Sequence, residues 1–125
     1  MKLFLDIRIS LRVVLGAPQR TPAARRLIED ADRLYVSTVS LWELAIKRSL
    51  GKLRLDTEAL DADLAAGAVV PLTISWAHAQ QLRALPSLYG DPFDRMLVAQ
   101  ATTEPLHLLT HDAAVRPYSP LVVFV

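Results

Sequence analysis

Cysteine is absent from this 125-residue chain, which removes disulfides, thiolate metal ligands and cysteine nucleophiles from consideration. Glycine is scarce, with four residues, and no Walker-type phosphate-cradling loop occurs. An excess of charge of one sign is missing too: 14 Lys and Arg stand against 13 Asp and Glu, a formal net charge of +1. That balance excludes a protein that grips nucleic acid by bulk positive charge and leaves room for local basic patches. The three histidines, His78, His107 and His111, lack the spacing of a zinc site, and no serine sits in a nucleophile elbow. Asp6, Arg8 and Arg12 interrupt the apolar opening of the chain. The stretch is too broken for a secretory core and too short for a membrane span. The expectation is a cytoplasmic protein with no membrane association.

What is present is apolar: hydrophobic residues make up 52% of the chain, enough to bury a core in one domain spanning residues 1–125. Short apolar runs at Leu3–Asp6, Leu34–Ser37, Val69–Leu72, Leu106–Leu109 and Leu121–Phe124 read as strands. Helices are expected between them. One starts at Thr21-Pro22, one covers Val39–Leu50 before Gly51, one covers Thr57–Ala66, one follows Ser75, and one starts at Asp91-Pro92. These starts carry N-cap residues, with proline at the first helical position in two of them. Uniformly apolar strands separated by helices predict a three-layer α/β sandwich around a mainly parallel sheet.

Four acids fall where such a fold presents side chains to a ligand. Asp6 ends the first strand, Asp112 follows the strand ending at Thr110, and Glu43 and Asp94 lie in helical segments. A carboxylate just past a strand's carboxyl end faces the crevice where open α/β sheets bind ligands. Several carboxylates meeting there repel one another unless a hard cation neutralises them. The pattern therefore proposes a divalent-metal site, of the kind that handles phosphate esters.

Each acid also has a local structural reading. Asp6 and Asp112 can cap the segments that follow them. Glu43 has Lys47 four residues on, a solvated helix pair worth a few tenths of a kcal/mol. Asp91 is the natural cap of the helix carrying Asp94. Trp42 and Trp76 are expected to pack in the core rather than stack on bases. Lys47, Arg48, Lys52 and Arg54 form the densest basic stretch; they read either as a solvated helix end or as a contact to a phosphate backbone.

Four segments, two long and two short, carry a resemblance. The order Leu5-Asp6, Val36-Ser37-Thr38-Val39-Ser40-Leu41-Trp42-Glu43-Leu44-Ala45-Ile46-Lys47, Asp91-Pro92-Phe93-Asp94-Arg95-Met96-Leu97-Val98-Ala99-Gln100-Ala101 and Leu109-Thr110-His111-Asp112 resembles the PIN-domain toxins of VapC type. The resemblance spans nearly the whole chain, and its two middle motifs are the specific ones. It implies a metal-dependent endoribonuclease in which Asp6, Glu43, Asp94 and Asp112 match the acidic positions. It also implies a homodimer and a cognate antitoxin whose C-terminal segment occupies the groove, with promoter DNA bound only through that antitoxin.

RNA hydrolysis at such a site would use Mg²⁺ or Mn²⁺ held by Asp6 and Asp94, with Glu43 and Asp112 as further ligands or as holders of water. Thr110 and Ser37 are expected to hydrogen-bond the carboxylates. A two-fold interface is expected to use Leu11, Val14 and Leu15. One departure stands out: the family's opening motif usually reads Asp-Thr-His, and here it reads Asp6-Ile7-Arg8. The alternative is accordingly a degenerate PIN domain that mainly binds the antitoxin. A phosphoacceptor receiver would need a second acid next to Asp6, an acceptor Asp after the third strand and a Lys after the fifth. A haloacid-dehalogenase-like phosphatase would need Asp where Arg8 stands. Neither pattern is met.

Overall fold

The computed structural model describes residues 1–51, 58–86 and 90–125. Its centre is a five-stranded sheet in which every pairing is parallel. The strands are β1 (Lys2–Leu5), β2 (Arg33–Ser37), β3 (Val70–Leu72), β4 (His107–Thr110) and β5 (Val122–Phe124), in spatial order β3-β2-β1-β4-β5. β1 carries Leu3, Phe4 and Leu5 with no exposed surface, as expected of a central strand covered on both faces. The expected three-layer α/β architecture is what forms.

Alternation along the strands divides the core in two. Phe4 and Leu108 point to one face, where they pack with Val39, Leu97, Val98 and Ala101. These come from helices α3 (Thr38–Ser49) and α6 (Pro92–Thr103). Leu3, Leu5 and Leu109 point to the other face, against Ile9, Leu27, Ile28 and Leu64. Those belong to α1 (Ile7–Val14), α2 (Pro22–Glu29) and α4 (Glu58–Ala65).

Local signals set the helix ends. The Thr21 hydroxyl accepts from Ala24 N–H and Pro22 takes the first position of α2. Gly51 follows α3 with φ +70°, the left-handed stop that glycine takes at little steric cost. Ser75 and His78 cap helix α5 (Trp76–Gln81) reciprocally. That helix tightens into a 3₁₀ turn at Leu82–Ala84, ahead of Pro86. The expected helix start at Thr57 lies outside the described residues.

The tryptophans depart from expectation. Trp42 is 58% exposed and Trp76 78% exposed, so neither is a core residue. The buried positions of α3 are Val39, Ser40 and Leu44, which turns Trp42 outward on another face. Leu15 is also exposed, while Leu11 and Val14 line a small apolar crevice with Leu41, Leu44 and Leu60.

A candidate metal-dependent active site

The strand order reverses its winding at β1: the chain runs outward through β2 and β3, then returns to place β4 on β1's other side. The carboxyl ends of β1 and β4 bound the crevice at that switch point, the usual ligand site of an open α/β sheet. Asp6 follows β1 and Asp112 lies two residues past β4. The backbone bond from Asp6 N–H to Leu109 O (3.2 Å) knits the two strand ends together.

A pocket of about 350 Å³ opens there, lined by Asp6, Glu43, Asp94 and Asp112. Asp91 adds a fifth carboxylate, Arg8 and Lys47 two cations, and Ile7, Ile46, Leu50 and Phe93 an apolar side. All four acids singled out in the sequence thus share one cavity.

Asp6 is 7% exposed and is held at both oxygens. Its Oδ1 accepts from Ile9 N–H (2.9 Å), capping α1, and its Oδ2 accepts from the Thr110 hydroxyl (2.8 Å). The structural and functional readings of this residue therefore coexist. The Thr110 hydroxyl in turn accepts from Asp112 N–H (3.0 Å), so one side chain at the end of β4 positions two of the acids. Asp112 Oδ1 accepts from Ala114 N–H (2.9 Å) and caps the 3₁₀ turn at Ala113–Tyr118. Glu43 pairs with Lys47 at 3.4 Å, one turn along α3.

Asp94 occupies the first turn of α6 behind the Asp91 cap, which accepts from Phe93 N–H and Asp94 N–H. Its own carboxylate makes no hydrogen bond or ion pair among the described residues. Burial pushes its pKa from 3.8 up to about 7, and Asp91, Glu43, Asp112 and Asp6 push the same way. The electrostatics of the pocket thus converge on Asp94: four other carboxylates disfavour its charge.

That crowding, with an all-oxygen donor set, fits a hard divalent cation. Among the described residues no three His, Asp or Glu side chains stand as a ready-made metal cage.

Other expected roles fall out differently. The Ser37 hydroxyl does not meet a carboxylate; it accepts from Val39 N–H (3.0 Å) at the α3 cap and donates to Gln100 Oε1 (2.5 Å). That bond ties the start of α3 to the middle of α6, the two helices bearing Glu43 and Asp94. Arg48 is exposed outside the pocket lining, and Lys52 and Arg54 lie outside the described residues. Asp91, read from the sequence as a cap alone, is a cap and a pocket residue. Its place three residues before Asp94 was the available signal, since both face the helix's first turn.

The family model of the PIN domain matches residues 3–118, and the chain belongs to that family. It is 35% identical over 104 residues to Ribonuclease VapC22 of Mycobacterium tuberculosis, covering 81% of this chain and 80% of that protein. Its fold is similar to a chain in the crystal structure of VapBC2 from Rickettsia felis bound to a DNA fragment from their promoter. That match has a TM-score of 0.70 and 15% identity over all of this chain and 98% of the other. A chain of a toxin-antitoxin complex from Klebsiella pneumoniae matches at TM-score 0.65 and 18% identity, over 97% of this chain and 95% of the other.

Proposed function

We propose that this protein is a divalent-metal-dependent endoribonuclease acting as the toxin of a toxin-antitoxin pair. The observation carrying the proposal is the meeting of Asp6, Glu43, Asp94 and Asp112 in one pocket at the sheet's switch point. The identity to Ribonuclease VapC22 supports RNA as the substrate.

In this reading Asp6 and Asp94 hold Mg²⁺ or Mn²⁺ directly. Glu43 and Asp112 complete the donor set or hold water beside it. When bound, such an ion polarises the phosphate and acidifies a water. Thr110 aims the Asp6 carboxylate by donating to it. Asp94 arrives at the site with its pKa near 7, so a cation binding there displaces a proton over the neutral range. Hydrolysis by water leaves a 5′-phosphate and a 3′-hydroxyl. Lys47, in the pocket, and Arg48, Lys52 and Arg54 beyond it are the proposed contacts to the RNA backbone.

The remaining biology follows the same reading. A cognate antitoxin is the proposed protein partner, supported by the similar fold found in a toxin-antitoxin complex. Promoter DNA is bound only through it. A homodimer and a cytoplasmic location complete the proposal. Among the described residues no helix is long and apolar enough to cross a membrane.

A second reading has its own observation. Ile7 and Arg8, which replace the hydroxyl and imidazole usual after the first Asp, line the pocket. A binder that retains the fold but cuts poorly would carry such changes. Incubation of the purified protein with RNA and Mn²⁺, with and without chelator, separates the two. Chelator-sensitive cutting supports the nuclease. Absence of cutting by both wild type and the Ile7→Thr, Arg8→His variant, with antitoxin still bound tightly, supports the binder.

A further inference from the structure

The pocket's lining is of two unlike kinds, and the proposed mechanism uses one of them. Besides the carboxylates, Ile46 on α3, Leu50 at its C-cap and Phe93 on α6 line it with apolar surface. Trp42 lies one turn before Ile46 and packs edge-to-face on Phe93, with ring centroids 5.0 Å apart and planes at 76°. Trp42, Ile46 and Leu50 recur at four-residue spacing, so they form one stripe along α3. The indole extends the apolar side past the pocket's edge and still keeps most of its surface in water. Exposed aromatic surface continuous with a polar site marks a place where something binds.

We infer that this stripe is a stacking platform for an unpaired nucleobase next to the cleaved phosphate. The inference rests on the proposed ribonuclease activity and names the part of the substrate that the apolar side holds. A nucleotide joins a flat apolar base to an anionic phosphate. The pocket matches that division, with an aromatic side, a carboxylate side suited to a cation, and Arg8 and Lys47 among its lining. Trp42 stays 58% exposed beside Phe93, which leaves aromatic surface for a second partner, and every base has a face to offer it. RNA is read in this way where its bases are unpaired and splayed from a helix. A peptide could also cover an apolar stripe, but it would not bring the phosphate that the cations and the carboxylate side call for.

The test uses two arms. In the first, steady-state cleavage of a single-stranded RNA is compared for wild type, Trp42→Ala, Trp42→Leu and Trp42→Phe. Trp42→Ala is expected to raise KM by about tenfold to a hundredfold, the range of base–aromatic stacking losses, with kcat little changed. Phe restores most of the affinity; Leu, equally apolar but not aromatic, does not. In the second arm, the double variant Trp76→Phe, Asp94→Asn leaves Trp42 the sole tryptophan and removes cleavage. Its emission is followed during titration with an oligoribonucleotide and with the same strand carrying abasic sites.

Quenching by the intact strand and not by the abasic one is the predicted result. Cleavage with an unchanged KM in Trp42→Ala, and no quenching, overturns the platform while leaving the ribonuclease reading standing. Quenching in a protein whose wild type cuts no RNA keeps the platform and overturns the enzyme. Weakened antitoxin binding in Trp42→Ala with neither RNA effect assigns the stripe to the protein partner and refutes the inference.

Discussion

Asp94→Asn is expected to stabilise the metal-free protein while destroying its activity. Asp94 titrates at about 7 in the folded protein because it is partly buried among four other carboxylates, against 3.8 ordinarily. Between those values the folded protein holds a proton that the unfolded chain has released. Stability therefore falls as pH rises through that window and levels off above pH 7. The displacement corresponds to about 4 kcal/mol at full value. Water reaches part of the side chain and screens it, so we take on the order of 2 kcal/mol. Asparagine fills the same space without the charge. At pH 8, in chelator, Asp94→Asn should be more stable by that amount, a rise in Tm of about 5–10 °C for a chain of this size. At pH 4 wild type and variant should be nearly equal. Urea denaturation at the two pH values measures the difference directly. Millimolar Mn²⁺ at pH 8 should stabilise wild type more than the variant, because only wild type keeps all the ligands. Equal stability at pH 8, or a variant weaker than wild type there, would refute the crowding of charge around Asp94.

Further outcomes concern the groups that hold the site. Asp6→Ala loses the α1 cap and should cost about 0.5–2 kcal/mol, while Asp6→Asn keeps the Oδ1 acceptor and most of the stability; both should abolish RNA cleavage. Thr110→Val strands Asp6 Oδ2 and Asp112 N–H and should cost about 1–3 kcal/mol by urea denaturation, with cleavage reduced and both effects largely spared by Thr110→Ser. Gly90→Ala brings a Cβ to 2.4 Å from the Tyr118 hydroxyl oxygen and should lower stability by about 1–3 kcal/mol. Adding Tyr118→Phe should recover part of that loss, since the next ring atom lies at 3.3 Å.

Much of the layout was legible because its signals are local. The apolar strands, the Thr21-Pro22 and Asp91-Pro92 starts and the Gly51 stop each carry their chemistry within a few residues. Asp6 and Asp112 were legible as neighbours in one crevice because strand ends in a parallel sheet converge by topology. The side chains whose role depends on a neighbouring element were not. α3 carries two stripes of apolar side chains, Val39 and Leu44 on one face and Trp42 and Ile46, continued by the C-cap Leu50, on another. Periodicity alone does not say which one turns inward; packing against the sheet and α6 decides it. Ser37 illustrates the same point. Its hydroxyl was expected on a carboxylate, and Gln100, 63 residues away in sequence, took the bond. Asp91 was hidden by its success as a cap, which accounts for the residue without requiring a pocket.

The most direct measurement of the central claim is cleavage of a labelled single-stranded RNA by the purified protein in Mn²⁺, with end-group analysis of the products and Asp94→Ala in parallel. The account predicts chelator-sensitive cutting that leaves 5′-phosphate and 3′-hydroxyl ends. Asp94→Ala should be slower by about a hundredfold or more, because its carboxylate acts on charge developing in the transition state. Cutting that persists in chelator, or at an undiminished rate in Asp94→Ala, would contradict it.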